Sequence, residues 1–341
     1  MAPSTLVHFR SLTLLLLLLP LLPTVFTYSN DECKMLPESP LLAQLRSDSW
    51  TSPSGEFAFG FHILLGGENF NHFLLALWFK KIKVQTIVWS ANGNKPAPEG
   101  SELKLNSYNE FVLNNPQGVE LWKVKTNGYK PSCIAMLDNG NLVIRDKYNN
   151  PVWESFKEPT DTIFPGQILH KPSKLRSHTS KTSHFKGRFQ LYLQKDGNLV
   201  LYSLSMPSED IEKPYFASMT LRWDSQLIFN EAGYIYIQDA VKTYKTYKTY
   251  NLTRQDPGSR ETFYHMARID HDGVRLYKHQ RDNTSDGSCP SSWTIVQGIP
   301  DDICGALASD HVNAGNGFCG PNGICSTSDN SSAWESILLM S

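Results

Sequence analysis

Cysteine is scarce, with six in 341 residues, too few to scaffold a chain of this length on disulfides alone. No two of them form a CxxC pair, which removes the commonest zinc spacing. An excess of either charge is lacking too. Thirty-two lysines and arginines meet 33 aspartates and glutamates, so no global basic field exists to hold nucleic acid or an anionic membrane. Past residue 26 no apolar run reaches bilayer-spanning length. No long segment carries an amphipathic helical period. GxSxG, HExxH, P-loop and kinase catalytic-loop motifs are all absent, and no catalytic residue can be named. Gly315-x-Gly317-x-x-Gly320 has the letters of a dinucleotide fingerprint. It lies between Cys304 and Cys325 with Pro321 after it, where a glycine-rich disulfide loop is expected instead.

What is present is apolar, aromatic and rich in turns. Hydrophobic residues make up 40% of the chain, with 17 Phe, 14 Tyr and 8 Trp, enough for proper cores. The length suggests two or three domains. Twenty-two Gly and 20 Pro favour many short strands over long helices. At the N-terminus, His8 and Arg10 precede an apolar run from Leu12 to Phe26, broken by Pro20 and Pro23, with small or polar residues at Thr27 and Ser29. That is the pattern of a signal peptide over residues 1–29, too short and too broken to span, so the mature chain is expected to be secreted. Export makes three Asn-x-Ser/Thr sequons, at Asn251, Asn283 and Asn330, credible glycan sites. It also makes the cysteines disulfide candidates, although the pairing among Cys33, Cys133 and Cys289 does not follow from the sequence.

One short pattern recurs, a polar turn and then alternating apolar residues. It occurs around Gly55, Asn109, Gly140, Gly197, Gly233 and Gly273, six copies in two groups of three that divide near residue 157. Residues 73–79 and 86–89 read as buried strands between the first two copies. The expected fold is all-β. Lys242-Thr-Tyr-Lys-Thr-Tyr-Lys-Thr-Tyr250 triplicates a tripeptide, as a duplicated insertion in an exposed hairpin would. His265, His271 and His279 show no metal-ligand spacing and read as ordinary surface or strand residues.

The sharpest constellation is Gln194-x-Asp196-x-Asn198-x-Val200-x-Tyr202. Read as a strand, it places these five residues on one face and Leu199 and Leu201 on the other, buried one. The row offers amide, carboxylate and hydroxyl groups beside one apolar patch, which suits the vicinal hydroxyls and C–H face of a pyranose. It holds one carboxylate rather than a cation cage, so no metal or other cofactor is expected. Asn106-x-Tyr108-x-Glu110-x-Val112, Asn139-x-Asn141-x-Val143 and Asp270-x-Asp272-x-Val274 depart from the row and read as structural strands.

Trp50-Thr-Ser-Pro-Ser-Gly-Glu-Phe-Ala-Phe-Gly-Phe61, Ile87-Val-Trp-Ser-Ala-Asn92, Leu137-Asp-Asn-Gly-Asn-Leu-Val143 and Val152-Trp-Glu-Ser-Phe156, with Pro159-Thr-Asp-Thr162 just beyond, together resemble the ectodomain of plant G-type lectin receptor-like kinases. The resemblance implies tandem β-prism II (bulb-type lectin) domains at residues 30–157 and 158–286, then a truncated EGF-like segment and tail at 287–341. It implies that Gln194, Asp196, Asn198 and Tyr202 bond a mannose-type sugar while Val200 packs on its ring carbons. It also implies a Cys304–Cys325 pair, with Cys319 left without its usual partner. The function this suggests is a secreted, non-enzymatic lectin of the apoplast, partnered by a mannose-type glycan or glycoprotein and open to homo- or hetero-oligomers with related receptors. The rival reading is a fragment or decoy of a membrane receptor-like Ser/Thr kinase, acting by protein–protein recognition with vestigial sugar sites.

Overall fold

The computed structural model describes residues 33–35, 40–64, 72–108, 110–180, 183–243, 246–270, 273–281 and 292–301. The expected signal peptide, Asn283, Asn330, His271, Asp272 and Cys289 lie outside the described residues, and so does the expected EGF-like segment at 287–341, with Cys304, Cys319 and Cys325, apart from residues 292–301.

Three short strands lead the first half: Lys34–Met35, Leu41–Leu42 and Ser49–Thr51. Three antiparallel meanders come next, and they close on the leaders in reverse order. Phe57–Leu64, His72–Phe79 and Thr86–Ser90 join the third leader. Glu102–Leu105, Phe111–Asn114 and Glu120–Lys123 join the second; Cys133–Met136, Leu142–Arg145 and Pro151–Glu154 join the first. Beyond the 3-10 turn Ser155–Lys157 the same nesting repeats. Its leaders are Thr162–Ile163, Ile168–His170 and Ser173–His178. The third takes Lys186–Leu193, Leu199–Ser205 and Asp210–Ala217; the second takes Ser225–Phe229, Ile235–Thr243 and Thr246–Asn251; the first takes Phe263–Asp270, Gly273–Gln280 and Thr294–Ile299. The fold is therefore all-β, as the turn-then-strand repeats predict, and its sheets form two trios in tandem.

The turns explain themselves locally. An Asn or Asp side-chain oxygen accepts backbone N–H groups two or four residues on, as Asn106 does from Tyr108 and Glu110, and Asp146 from Tyr148 and Asn150. Such Asx turns offer the backbone partners it lacks outside the ladder. Gly197 shows why glycine comes after them. Its φ is +92°, and a Cβ there would sit 2.4 Å from the Trp223 carbonyl oxygen.

Each trio closes on its own core. In the first, Trp89, Trp122 and Trp153, one from each sheet, meet edge to face with centroids 5.9, 5.7 and 6.0 Å apart. The second core is built on Leu175, Leu191, Leu199, Leu201, Phe229 and Ile237. The first core also takes in Tyr264 and Met266 from the second trio, so the halves share apolar surface. Cys33 and Cys133 form a disulfide, the pairing the sequence left open. The tripeptide triplication runs through the hairpin of Ile235–Thr243 and Thr246–Asn251, with Tyr247 and Tyr250 exposed. His265 and His279 are buried rather than on the surface; the first bonds the Pro257 carbonyl through Nε2 and the second packs on Trp293.

Burial lowers the imidazoles of His62, His184 and His265, and for His184 burial and then the neighbouring His178 bring the value to about 4. The folded protein thus holds fewer protons on these rings than the unfolded chain, which protonates near 6.5. Their contribution is complete above that value and is lost as the pH falls towards 4. The melting temperature is expected to drop steadily across this window. A flat melting temperature between pH 6.5 and 4, measured by scanning fluorimetry at constant ionic strength, would contradict these placements.

Candidate functional site

The row from Gln194 to Tyr202 is half turn and half strand. The strand begins at Leu199; Gln194 to Asn198 form the hairpin that enters it. The turn is closed by the Gly197 N–H on the Gln194 carbonyl at 3.0 Å and the Gln194 N–H on the Asn198 carbonyl at 2.8 Å. Simple alternation along one strand therefore fails for Gln194, Asp196 and Asn198. It holds from Leu199 onward, since Leu199 and Leu201 lie in the second core.

The turn still brings four polar side chains to one end of the sheet. Gln194 Nε2 donates to the Tyr202 hydroxyl at 2.6 Å. Asp196 is exposed, and its Oδ1 accepts the Asn198 N–H at 3.0 Å. Asn198 is only 8% exposed; its Oδ1 accepts from Ser218 Oγ at 3.0 Å, and Ser218 in turn takes the Leu199 N–H. Ser218 thus engages the oxygen of Asn198 and not its amide nitrogen. Val200 is 2% exposed, between Tyr192 and Ala217 across the sheet, so it forms a floor and offers a sugar almost no surface.

The same scaffold recurs where the row does not. Asn141 accepts from Ser155 Oγ at 3.2 Å, and Ser155 takes the Leu142 N–H. Its Nδ2 is occupied by Glu154 at 3.0 Å. Thr253 takes the Ile235 N–H in a third sheet. A hydroxyl capping the first N–H of the middle strand is thus a fold device shared by repeats with and without the row. The sequence did not reveal Ser218, because the caps come after their strands at unequal intervals, Asn141 to Ser155 but Asn198 to Ser218. In the first trio the Tyr108–Glu110 repeat borders a cleft of about 360 Å³ with Lys123 3.8 Å from Glu110, a composition unlike the row. Asn251 is exposed at a strand end, where its sequon predicts a glycan.

The chain is similar to several known proteins. Residues 86–185 match the family described as D-mannose binding lectin, a match that ends before Gln194. The G-type lectin S-receptor-like serine/threonine-protein kinase LECRK3 of Oryza sativa subsp. indica is 37% identical over 326 residues, which is 91% of this chain and 38% of that protein. RLK1 of Arabidopsis thaliana, of the same description, is 37% identical over 209 residues, 57% of this chain and 25% of that one. A monomeric monocot mannose-binding lectin from Gastrodia elata aligns with 38% of this chain and 99% of its own, at 19% identity and a TM-score of 0.23. The two-domain fetuin-binding agglutinin of Scilla campanulata aligns with 78% and 94%, at 16% identity and a TM-score of 0.22. The chain spans a little over a third of the length of curated relatives such as LECRK3.

Proposed function

Because this chain carries a D-mannose binding lectin domain and is a relative of the G-type lectin S-receptor-like kinases, aligned with their lectin region, we propose that it recognises mannose-type glycans and performs no chemistry on them. The observation that carries the proposal is the cluster at one hairpin: the Gln194–Tyr202 pair, the exposed Asp196 carboxylate and the Asn198 amide nitrogen. Asp196 Oδ1 is engaged by its own turn, so its second oxygen accepts a sugar hydroxyl. Tyr202 and Gln194 orient each other and present a donor and an acceptor to the next hydroxyl. Val200 sits beneath as an apolar floor.

Such a site trades protein–water for protein–sugar hydrogen bonds with a modest net gain. Mannose should therefore bind in the millimolar range, about -4 kcal/mol. Tyr202→Phe and Asp196→Asn are the informative variants, since both keep the turn while changing one polar group. Each should weaken mannose binding by about fivefold or more at unchanged melting temperature. Asn198→Ala is less clean, because it also strips the Ser218 cap of a partner. Titration of mannose, read by calorimetry or NMR, makes the measurement. Absence of binding by the unaltered protein, or equal binding by both variants, would reduce the row to a fold element.

We place the protein outside the cytosol. The Cys33–Cys133 bridge supports this, since such bonds persist in oxidising compartments.

A further inference from the structure

Where the two sheet trios meet, a groove of about 600 Å³ runs between the Trp122 edge of the first and the Arg176–Gln190 face of the second. Its volume lies within the range of clefts that take drug-sized ligands, larger than a single hexose needs. The walls are held from several sides. Asn92 accepts the Leu75 N–H at 2.8 Å and donates to the carbonyls of Phe73 and Lys95, which fixes the adjoining loop. Gly93 then lets that loop meet the other trio, since a Cβ there would sit 2.4 Å from the His184 carbonyl oxygen. Asn94 Oδ1 completes the contact by accepting the Lys186 N–H at 2.8 Å. On the facing side, Trp122 is held edge-on by Trp89 and Trp153.

The lining has three chemistries together. Trp122 supplies an aromatic surface, on which sugar C–H faces pack. Free hydrogen-bonding capacity is concentrated at Gln190, which is 6% exposed and whose Nε2 has no partner among the described residues; Asn94 and Thr160 also line the groove, with Thr160 Oγ1 donating to Asp161 Oδ1 at 3.0 Å. Positive charge predominates. Arg176 and Glu209 pair at 3.5 Å, which leaves the exposed Lys95, Lys174 and Lys186 against Glu158 alone among the described lining residues. Exposed lysines spaced around a cleft add their fields where the walls exclude water. Gln190 faces Tyr202 across the sheet, so the groove begins one strand away from the Gln194–Tyr202 hairpin.

We propose that this groove binds a short acidic oligosaccharide, a chain of carboxylate-bearing sugars, with the lysines taking the carboxylates, Trp122 a ring face and Gln190 a hydroxyl. The site does not depend on mannose binding at the hairpin, and the two fail separately. Trigalacturonate is the probe, with three comparison compounds or variants: its carboxyl-reduced neutral counterpart, triglutamate, and the protein carrying Lys95→Glu, Lys174→Glu and Lys186→Glu. Titration is read by calorimetry and tryptophan fluorescence. Trigalacturonate should bind the unaltered protein and Asp196→Asn alike, and bind more than about tenfold more weakly once either its carboxylates or the lysines are removed. All three lysines are exposed, so the variant should keep its melting temperature; Gln190→Leu, which loses the hydroxyl contact and keeps the charge, should weaken binding several-fold as an independent check. Failure of trigalacturonate to bind, equal binding of the neutral counterpart, triglutamate binding as tightly as the sugar, or an unaffected lysine variant would each overturn the proposal.

Discussion

Phe79→Ala is expected to destabilise the protein by about 3–5 kcal/mol, the usual cost of emptying a large aromatic site in a core. Phe79 is 1% exposed and ends the longest buried strand of the first trio. Its ring lies 4.7 Å from Phe57 within that trio, and 5.3 and 5.1 Å from Tyr264 and Trp293 of the other. One side chain thus serves a core and the junction between the halves. Removing it leaves a cavity that neither rigid sheet can collapse into. Urea unfolding should show a lower midpoint and, as the halves uncouple, a broader or divided transition. Phe79→Leu, nearer in volume, should cost clearly less. An alanine variant as stable as its parent would mean that the junction is held elsewhere, by contacts such as Trp293 Nε1 to Thr86 and Arg281 to Glu56.

Loss of the Cys33–Cys133 bridge should cost about 2–5 kcal/mol. The bond spans 100 residues, and closing so long a loop restricts the unfolded chain more than a short one would. The folded side matters as well. The leading strand Lys34–Met35 has two residues and, among the described residues, pairs with Cys133 and Ile134 alone, too little ladder to hold a sheet edge unaided. Replacing both cysteines by alanine, or reducing the protein before urea titration, should lower the midpoint by a matching amount. If reduction leaves the midpoint unchanged, the sheet edge is stable without its covalent tie.

Much of the molecule is legible from short stretches of chain. Asn-x-Asn, Asp-Gly and Asn-Gly turns leading into alternating Leu, Val, Ile and Phe specify hairpins from within a few residues. Six such signals in two groups of three already imply an all-β chain in two parts, and the structure gives each part three sheets. His72–Phe79 reads as a strand because it is short, aromatic and apolar throughout. The polar row at Gln194–Tyr202 is visible for the same reason, its spacing being fixed by local backbone geometry.

What only the tertiary structure decided is set by contacts between residues far apart in the chain. The nested closure, last meander on first leader, brings Cys133 beside Cys33, and no local preference encodes that order of sheets. Alternation along a strand assigns Gln194, Asp196 and Asn198 to one face of a strand, whereas the chain turns there because Asp196 caps the Asn198 N–H and Gly197 fits under Trp223. Asn198 reads as free to meet a ligand until Ser218, twenty residues on, takes its oxygen. The groove of Trp122, Arg176 and Gln190 lies where two cores, each specified locally, meet, with Gly93 against His184 and Asn94 bonded to the Lys186 N–H. Hydrogen bonds within a turn are settled by neighbours in sequence; packing between sheets is settled by volume, and volume is shared among residues that the sequence holds far apart.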